Sequence, residues 1–136
     1  MITVEDVDSW PTGRLLSAAA RMVEGRFDRF LTDLDLTHAG LIVLHHLDGG
    51  PLSQRELARL SRVTDQTMSR TIEKLDRTGH VGRTPDPADR RRTLVTISDK
   101  GVEALTAARD EEQRFERDLG YDTIRPQLIA LIRKQL

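Results

Sequence analysis

The chain has 136 residues, with 21 Lys and Arg against 22 Asp and Glu for a formal charge of -1, a length that suits one compact domain and not two independent ones. It contains no cysteine, which excludes structural disulfides, thiolate zinc sites and thiol-based redox sensing, and its 4% aromatic content argues against a stacking platform for single-stranded nucleic acid. Apolar runs such as Leu41 to Leu44 fall far short of the roughly 20 residues that span a bilayer, and the acidic amino terminus lacks a signal peptide's basic start, so a soluble cytoplasmic protein without membrane contact is expected.

From Pro11 onward, Leu15, Leu16, Ala19, Met22, Val23, Phe27, Phe30, Leu31 and Leu34 recur at three- and four-residue steps, which predicts a helix with proline in its first turn. Thr37 is placed to cap a second helix carrying Leu41, Leu44 and Leu47, and Gly49-Gly50-Pro51 ends it. Ser53-Gln54-Arg55-Glu56 reads as a capping box for a short helix through Leu60. Thr64 can cap the next helix, whose Met68, Ile72 and Leu75 share one face while Asp65, Gln66, Ser69, Arg70, Glu73 and Lys74 face elsewhere. Gly79 closes that helix, and Val81-Gly82-Arg83 begins a strand that stops at the turn-rich Thr84-Pro85-Asp86-Pro87. Asp89-Arg90-Arg91-Arg92 forms a tip, and Thr93 to Ile97 is the returning strand of a hairpin. Ser98 caps a helix with Val102, Leu105, Ala108, Phe115 and Leu119 along its seam, Gly120 breaks it, and a last helix from about Asp122 carries Ile124, Leu128, Leu131 and Ile132 with Pro126 near its start.

Two short helices joined by a tight turn and followed by a hairpin make a winged helix-turn-helix, so the expected class is mainly α with a minor β component (α+β minor). Charge placement supports a docking face. Residues 53–92 hold ten basic and six acidic side chains, a local net of +4, whereas the remainder carries a net of -5. A helix entering the major groove needs hydrogen-bonding side chains at its amino-terminal end, and Thr64, Gln66, Thr67, Ser69 and Arg70 occupy that end here, with Lys74 one turn further on. The bland alternative is a solvated polar helix face. Three consecutive arginines, Arg90, Arg91 and Arg92, form a compact cation able to reach a narrow minor groove or nearby phosphates, and Asp89 is placed to accept from Arg91 and support the wing. Here the alternative is a solubilising turn.

The stretch from Leu57 to Gly101 resembles the MarR family of bacterial and archaeal regulators. The resemblance rests on Gln66-Thr67-Met68-Ser69-Arg70, on Leu75 to Gly79, and above all on Asp89-Arg90-Arg91-Arg92-Thr93-Leu94-Val95-Thr96-Ile97-Ser98-Asp99-Lys100-Gly101. Ser98 stands where the family usually has threonine, but either residue can cap a helix. The resemblance implies a single domain over 1–136, with helical dimerisation regions at 11–36 and 99–136 around a DNA-binding region at 37–98. It also implies a homodimer on a pseudo-palindromic operator, acting as a repressor.

Members of the family commonly release DNA when a small aromatic acid or phenolic effector binds near the dimer helices. Arg21 and His45 suit such a pocket by that analogy, although Arg21 equally fits a dimer salt bridge and His45 a packed histidine. A metal-responsive regulator is an alternative raised by His38, His45 and His46. However, His38 and His45 are two turns apart, about 10 Å of rise, so a partner such as Asp48 or a second chain would be needed. No metal site and no cofactor is therefore assigned. His80 is expected at the surface. No phosphate loop, nucleophile elbow or metal-ligand helix motif is present to support an enzyme. A winged-helix module used only for protein contacts is the remaining alternative.

Overall fold

A computed structural model describes residues 7–136; the acidic segment 1–6 lies outside the described residues. Helix α1 (Thr12–Asp33) follows Pro11 at the N-cap position and buries only Phe27 and Leu31. Among the described residues, its amino-terminal half buries no side chain. The chain reverses through Asp35 in the left-handed region, φ 55°, closed by the Leu36 N–H donating to the Leu31 carbonyl at 2.9 Å. Helix α2 (His38–Leu47) is capped by Thr37, whose hydroxyl accepts from the Gly40 N–H at 3.1 Å. Gly40, Leu41, Val43, Leu44 and Leu47 are all buried, as expected of a helix that runs through the core.

Strand β1 (Leu52–Ser53) leads directly into α3 (Gln54–Ser61), where the capping box forms in full. The Glu56 N–H donates to Ser53 Oγ at 3.1 Å and the Ser53 N–H to Glu56 Oε2 at 3.3 Å. Arg62 ends α3 with φ 56°, and Thr64 caps α4 (Asp65–Arg77), which buries Met68, Ile72 and Leu75. Strands β2 (Val81–Pro85) and β3 (Thr93–Ile97) pair antiparallel from Val81 opposite Ile97 to Pro85 opposite Thr93. The sheet order is β1-β3-β2, so β2 is an edge, where a proline is tolerated because no partner needs its missing N–H. Helix α5 (Asp99–Leu119) starts at the Ser98 cap and ends at Gly120, φ 66°. A 3-10 turn (Tyr121–Thr123) then leads into α6 (Arg125–Gln135).

The mainly α winged architecture is as expected, with differences in detail. Strand β1 is too short to leave a periodic signal, and β2 continues through Thr84 and Pro85, beyond Arg83. The last helix starts at Arg125, because Asp122 is taken into the 3-10 turn. Along α5, Val102 and Leu119 are exposed and the buried seam is Gly101, Ala104, Leu105, Ala108 and Phe115.

The clearest correction concerns His80. Expected at the surface, it is fully buried, at 0% exposure. Its Nε2 lies 3.1 Å from the Leu34 carbonyl and its Nδ1 2.6 Å from the Thr78 hydroxyl. A carbonyl only accepts, so Nε2 carries the proton. The imidazole thereby joins the end of α1 to the end of α4. Around it, the Ser98 N–H donates to the His80 carbonyl at 3.0 Å, Ser98 Oγ to the Gly79 carbonyl at 2.6 Å, and Lys100 Nζ to the Thr78 carbonyl at 2.6 Å. The Ser98-Asp99-Lys100-Gly101 run thus fastens α5 to the carboxy-terminal end of α4.

Candidate nucleic-acid interface

Helix α4 owes its exposed face to its amphipathic pattern: with Met68, Ile72 and Leu75 inward, Thr64, Gln66, Thr67, Arg70 and Lys74 are exposed and Ser69 is half-buried. Its start is rigid. The Thr67 N–H donates to Thr64 Oγ1 at 3.1 Å, the two hydroxyls are 3.0 Å apart, and Thr71 Oγ1 donates to the Thr67 carbonyl. The Gln66 and Arg70 side chains make no hydrogen bond or ion pair among the described residues, so their donors and acceptors are open to a ligand. Arg70 and Lys74 also border a hollow of about 230 Å3 beside Thr37 at the start of α2.

The wing is tied at its base by the Asp86 N–H donating to the Arg92 carbonyl and the Arg92 N–H to the Asp89 carbonyl, both 2.9 Å. Asp89 holds Arg91 in the way its spacing suggested. Arg91 Nε donates to Asp89 Oδ1 at 3.1 Å and Nη2 to Oδ2 at 3.3 Å, while the Arg91 N–H also reaches Oδ1 at 3.1 Å. These bonds from Arg91 hold the Asp89 carboxyl below its ordinary pKa. The Arg91 side chain nonetheless remains 90% exposed. Arg90 is exposed and forms no ion pair among the described residues.

Arg92 behaves differently from its neighbours. Its Nη2 donates to Ser53 Oγ at 2.9 Å and to Glu56 Oε1 at 3.2 Å. Between the wing and the starts of α3 and α4 runs a groove of about 510 Å3 lined by Arg55, Asp65, Asp89, Arg91 and Arg92 among others. Arg55, which the sequence presents only as a member of the capping-box run, also lines this groove; its spacing with Arg59 on α3 and Arg62 just after it is the available signal. A bridge from Arg83 to Asp76, 2.9 Å, further ties β2 to α4.

Residues 34–92 match the family model described as MarR family. The crystal structure of MarR is 31% identical, superposes with a TM-score of 0.70, and is matched over 93% of this chain and 92% of its own. The chain belongs to the MarR family. The transcriptional repressor CouR, solved bound to a 23-mer DNA duplex, matches at 25% identity and a TM-score of 0.77 over 100% of this chain and 99% of that one. A helix-turn-helix transcriptional repressor of Mycobacterium bovis, Mb2911, is 31% identical over 76% of this chain and 79% of its own length. Other matched regulators, from Bacillus subtilis and Pseudomonas putida, are spanned over 69%, 47% and 61% of their lengths, roughly half to two thirds. The MarR family is one of DNA-binding transcription regulators, which sets the enzyme alternative aside.

The two residues expected at an effector pocket are not joined. Arg21 is exposed on α1, whereas half-buried His45 on α2 faces α5, with Nδ1 3.4 Å from Arg109 Nη2 and Nε2 3.9 Å from Glu112. Arg109 also donates to Asp48 at 3.0 Å. Among the described residues no group of three His, Asp or Glu side chains is arranged to hold a metal ion, and no helix is long and apolar enough to cross a membrane.

Proposed function

We propose that this MarR-family regulator is a repressor that binds a pseudo-palindromic operator as a homodimer, with the start of α4 in the major groove and Arg91 in the adjacent minor groove. The observation that carries this reading is Arg91, aimed by a two-pronged bond from Asp89 yet almost wholly exposed. An ordered, solvent-facing guanidinium at a wing tip is what narrow-minor-groove insertion requires. In this reading Gln66, Thr67, Ser69 and Arg70 read base edges, Thr64 and Lys74 meet the backbone, and Arg90 adds a phosphate contact.

Support for the second copy comes from unpartnered apolar surface. Leu16 and Met22 on α1, Leu119 at the end of α5, and Ile124, Ile129, Leu131 and Ile132 at and along α6 are exposed, and α1 and α6 border an apolar groove of about 500 Å3. Isolated exposed apolar residues are ordinary, but several gathered along one groove support an interface, and an isologous one would double the base contacts. Release by a small aromatic acid or phenol is part of the proposal, supported by the cationic Arg109 beside His45 and tested by a thermal-shift screen on wild type, Arg21→Ala and Arg109→Ala. A ligand whose stabilisation survives both substitutions removes these residues from the pocket.

The DNA reading is tested by titrating duplexes selected by the wild type from a random pool, alongside unselected duplex, across a range of salt. Arg70→Ala is expected to lose about 1–3 kcal/mol of discrimination, whereas Arg90→Ala weakens all duplexes alike and flattens the log-log salt slope by about one. Absence of wild-type binding to any duplex at low salt refutes the reading.

A further inference from the structure

We propose that Arg92 is a positioning residue that docks the wing onto the capped start of α3, and that it does not contact DNA; this rests on the DNA-binding reading above. The three arginines of the wing are adjacent in sequence but have separate fates. Arg90 has no ion-pair partner among the described residues, and Arg91 points outward from Asp89. Of the three, Arg92 alone reaches β1 and α3, and its side chain is only 42% exposed.

Its destination gives the reason. Ser53 Oγ, on a residue 2% exposed, already accepts the Glu56 N–H, and Glu56 Oε2 already accepts the Ser53 N–H. Glu56 Oε1 is left over, and Arg92 Nη2 bridges that oxygen and Ser53 Oγ at 3.2 and 2.9 Å. One guanidinium therefore braces the already complete capping box and neutralises the Glu56 carboxylate beside the groove. The backbone prepares the reach. Ser53 of β1 sits opposite Leu94 of β3, and the Arg92 N–H and carbonyl both close the wing base through Asp89 and Asp86. Anchoring Arg92 at both its backbone and its side chain fixes how far the Asp89–Arg91 pair stands from α3, and α3 in turn packs on α4.

The two roles for Arg92 predict opposite signs at Glu56. Glutamine keeps the capping-box acceptor but removes the charge that holds Arg92. If Arg92 positions the wing, Glu56→Gln and Arg92→Ala each weaken binding to the selected duplex about two- to fivefold, the range of a half-exposed ion pair. The double variant is then no weaker than the worse single variant, and the salt slope of Arg92→Ala matches the wild type. If Arg92 binds phosphate, Glu56→Gln frees it and tightens binding, while Arg92→Ala flattens the slope by about one, as Arg90→Ala does. Thermal melts of each variant check that the fold survives, and Arg92→Lys, which retains charge but not the fork, serves as the milder substitution if Arg92→Ala melts early. Tightening by Glu56→Gln, a flattened slope for Arg92→Ala, additive effects in the double variant, or unchanged affinity in both single variants overturns the proposal alone. Failure of the wild type to bind any duplex overturns the DNA reading and this proposal with it.

Discussion

Gly101 and His80 meet where the first turn of α5 lies against the turn after α4. A Cβ on Gly101 would run into the His80 carbonyl and the Ile97 side chain, so glycine is required there by contact and not by backbone conformation. The buried imidazole has a pH consequence. Burial first, then the Lys100 ammonium, lowers the His80 pKa below its usual value of 6.5, against smaller upward pulls from the Leu34 carbonyl and Asp35. Because the unfolded chain then takes up its proton at higher pH than the folded one, this contribution to stability is complete above about pH 6.5. It is lost as the pH falls from there through the folded pKa. The urea midpoint of the wild type is therefore expected to drop more between about pH 7.5 and about pH 5.5 than that of His80→Gln. Parallel drops in the two proteins would show that His80 is not the group responsible.

At the scale of elements, most boundaries follow from residues that satisfy the free N–H groups of helix starts. Thr37, Ser53, Thr64 and Ser98 each cap a helix as their positions suggested. The turn between α3 and α4 is less ideal, since Arg62 occupies the left-handed region at φ 56° without being glycine. That conformation costs an L-residue about 1–2 kcal/mol, part of which glycine returns as extra freedom in the unfolded chain. Arg62→Gly should accordingly raise stability by about 0.5–1 kcal/mol, read from a denaturant titration; a destabilised variant would mean that the arginine side chain holds the turn. The elements that escaped sequence reading are those without a period of their own. Two residues of β1 cannot alternate visibly, and the residues before α6 are helical in pattern yet fold as a 3-10 turn after Gly120.

For the whole molecule, the balance of buried and exposed apolar surface is the informative quantity. Helix α6 buries no residue within the chain, and the first half of α1 buries none either, although both are apolar at helical spacing. The proposed second copy, lying across them, would cover both. Ile132→Asp, at a position 56% exposed, is expected to convert a dimer to a monomer by light scattering and to weaken binding to a two-half-site duplex far more than to a single half-site. A variant that remains dimeric would place the interface elsewhere.

Helical periods, caps, the hairpin and the basic segment were legible along the chain because each depends on residues within a few positions of one another. So was the Asp89–Arg91 pair, two residues apart. The bonds that set the site's geometry were not legible, since they join distant segments: His80 reaches Leu34 across 46 positions, and Arg92 reaches Glu56 across 36. A histidine after a glycine, or a third arginine in a run, carries no local mark of such a partner. Only bringing the start of α5 onto the turn after α4, and β1 beside β3, determined that one of these polar side chains is buried and that the other turns from the wing back to α3.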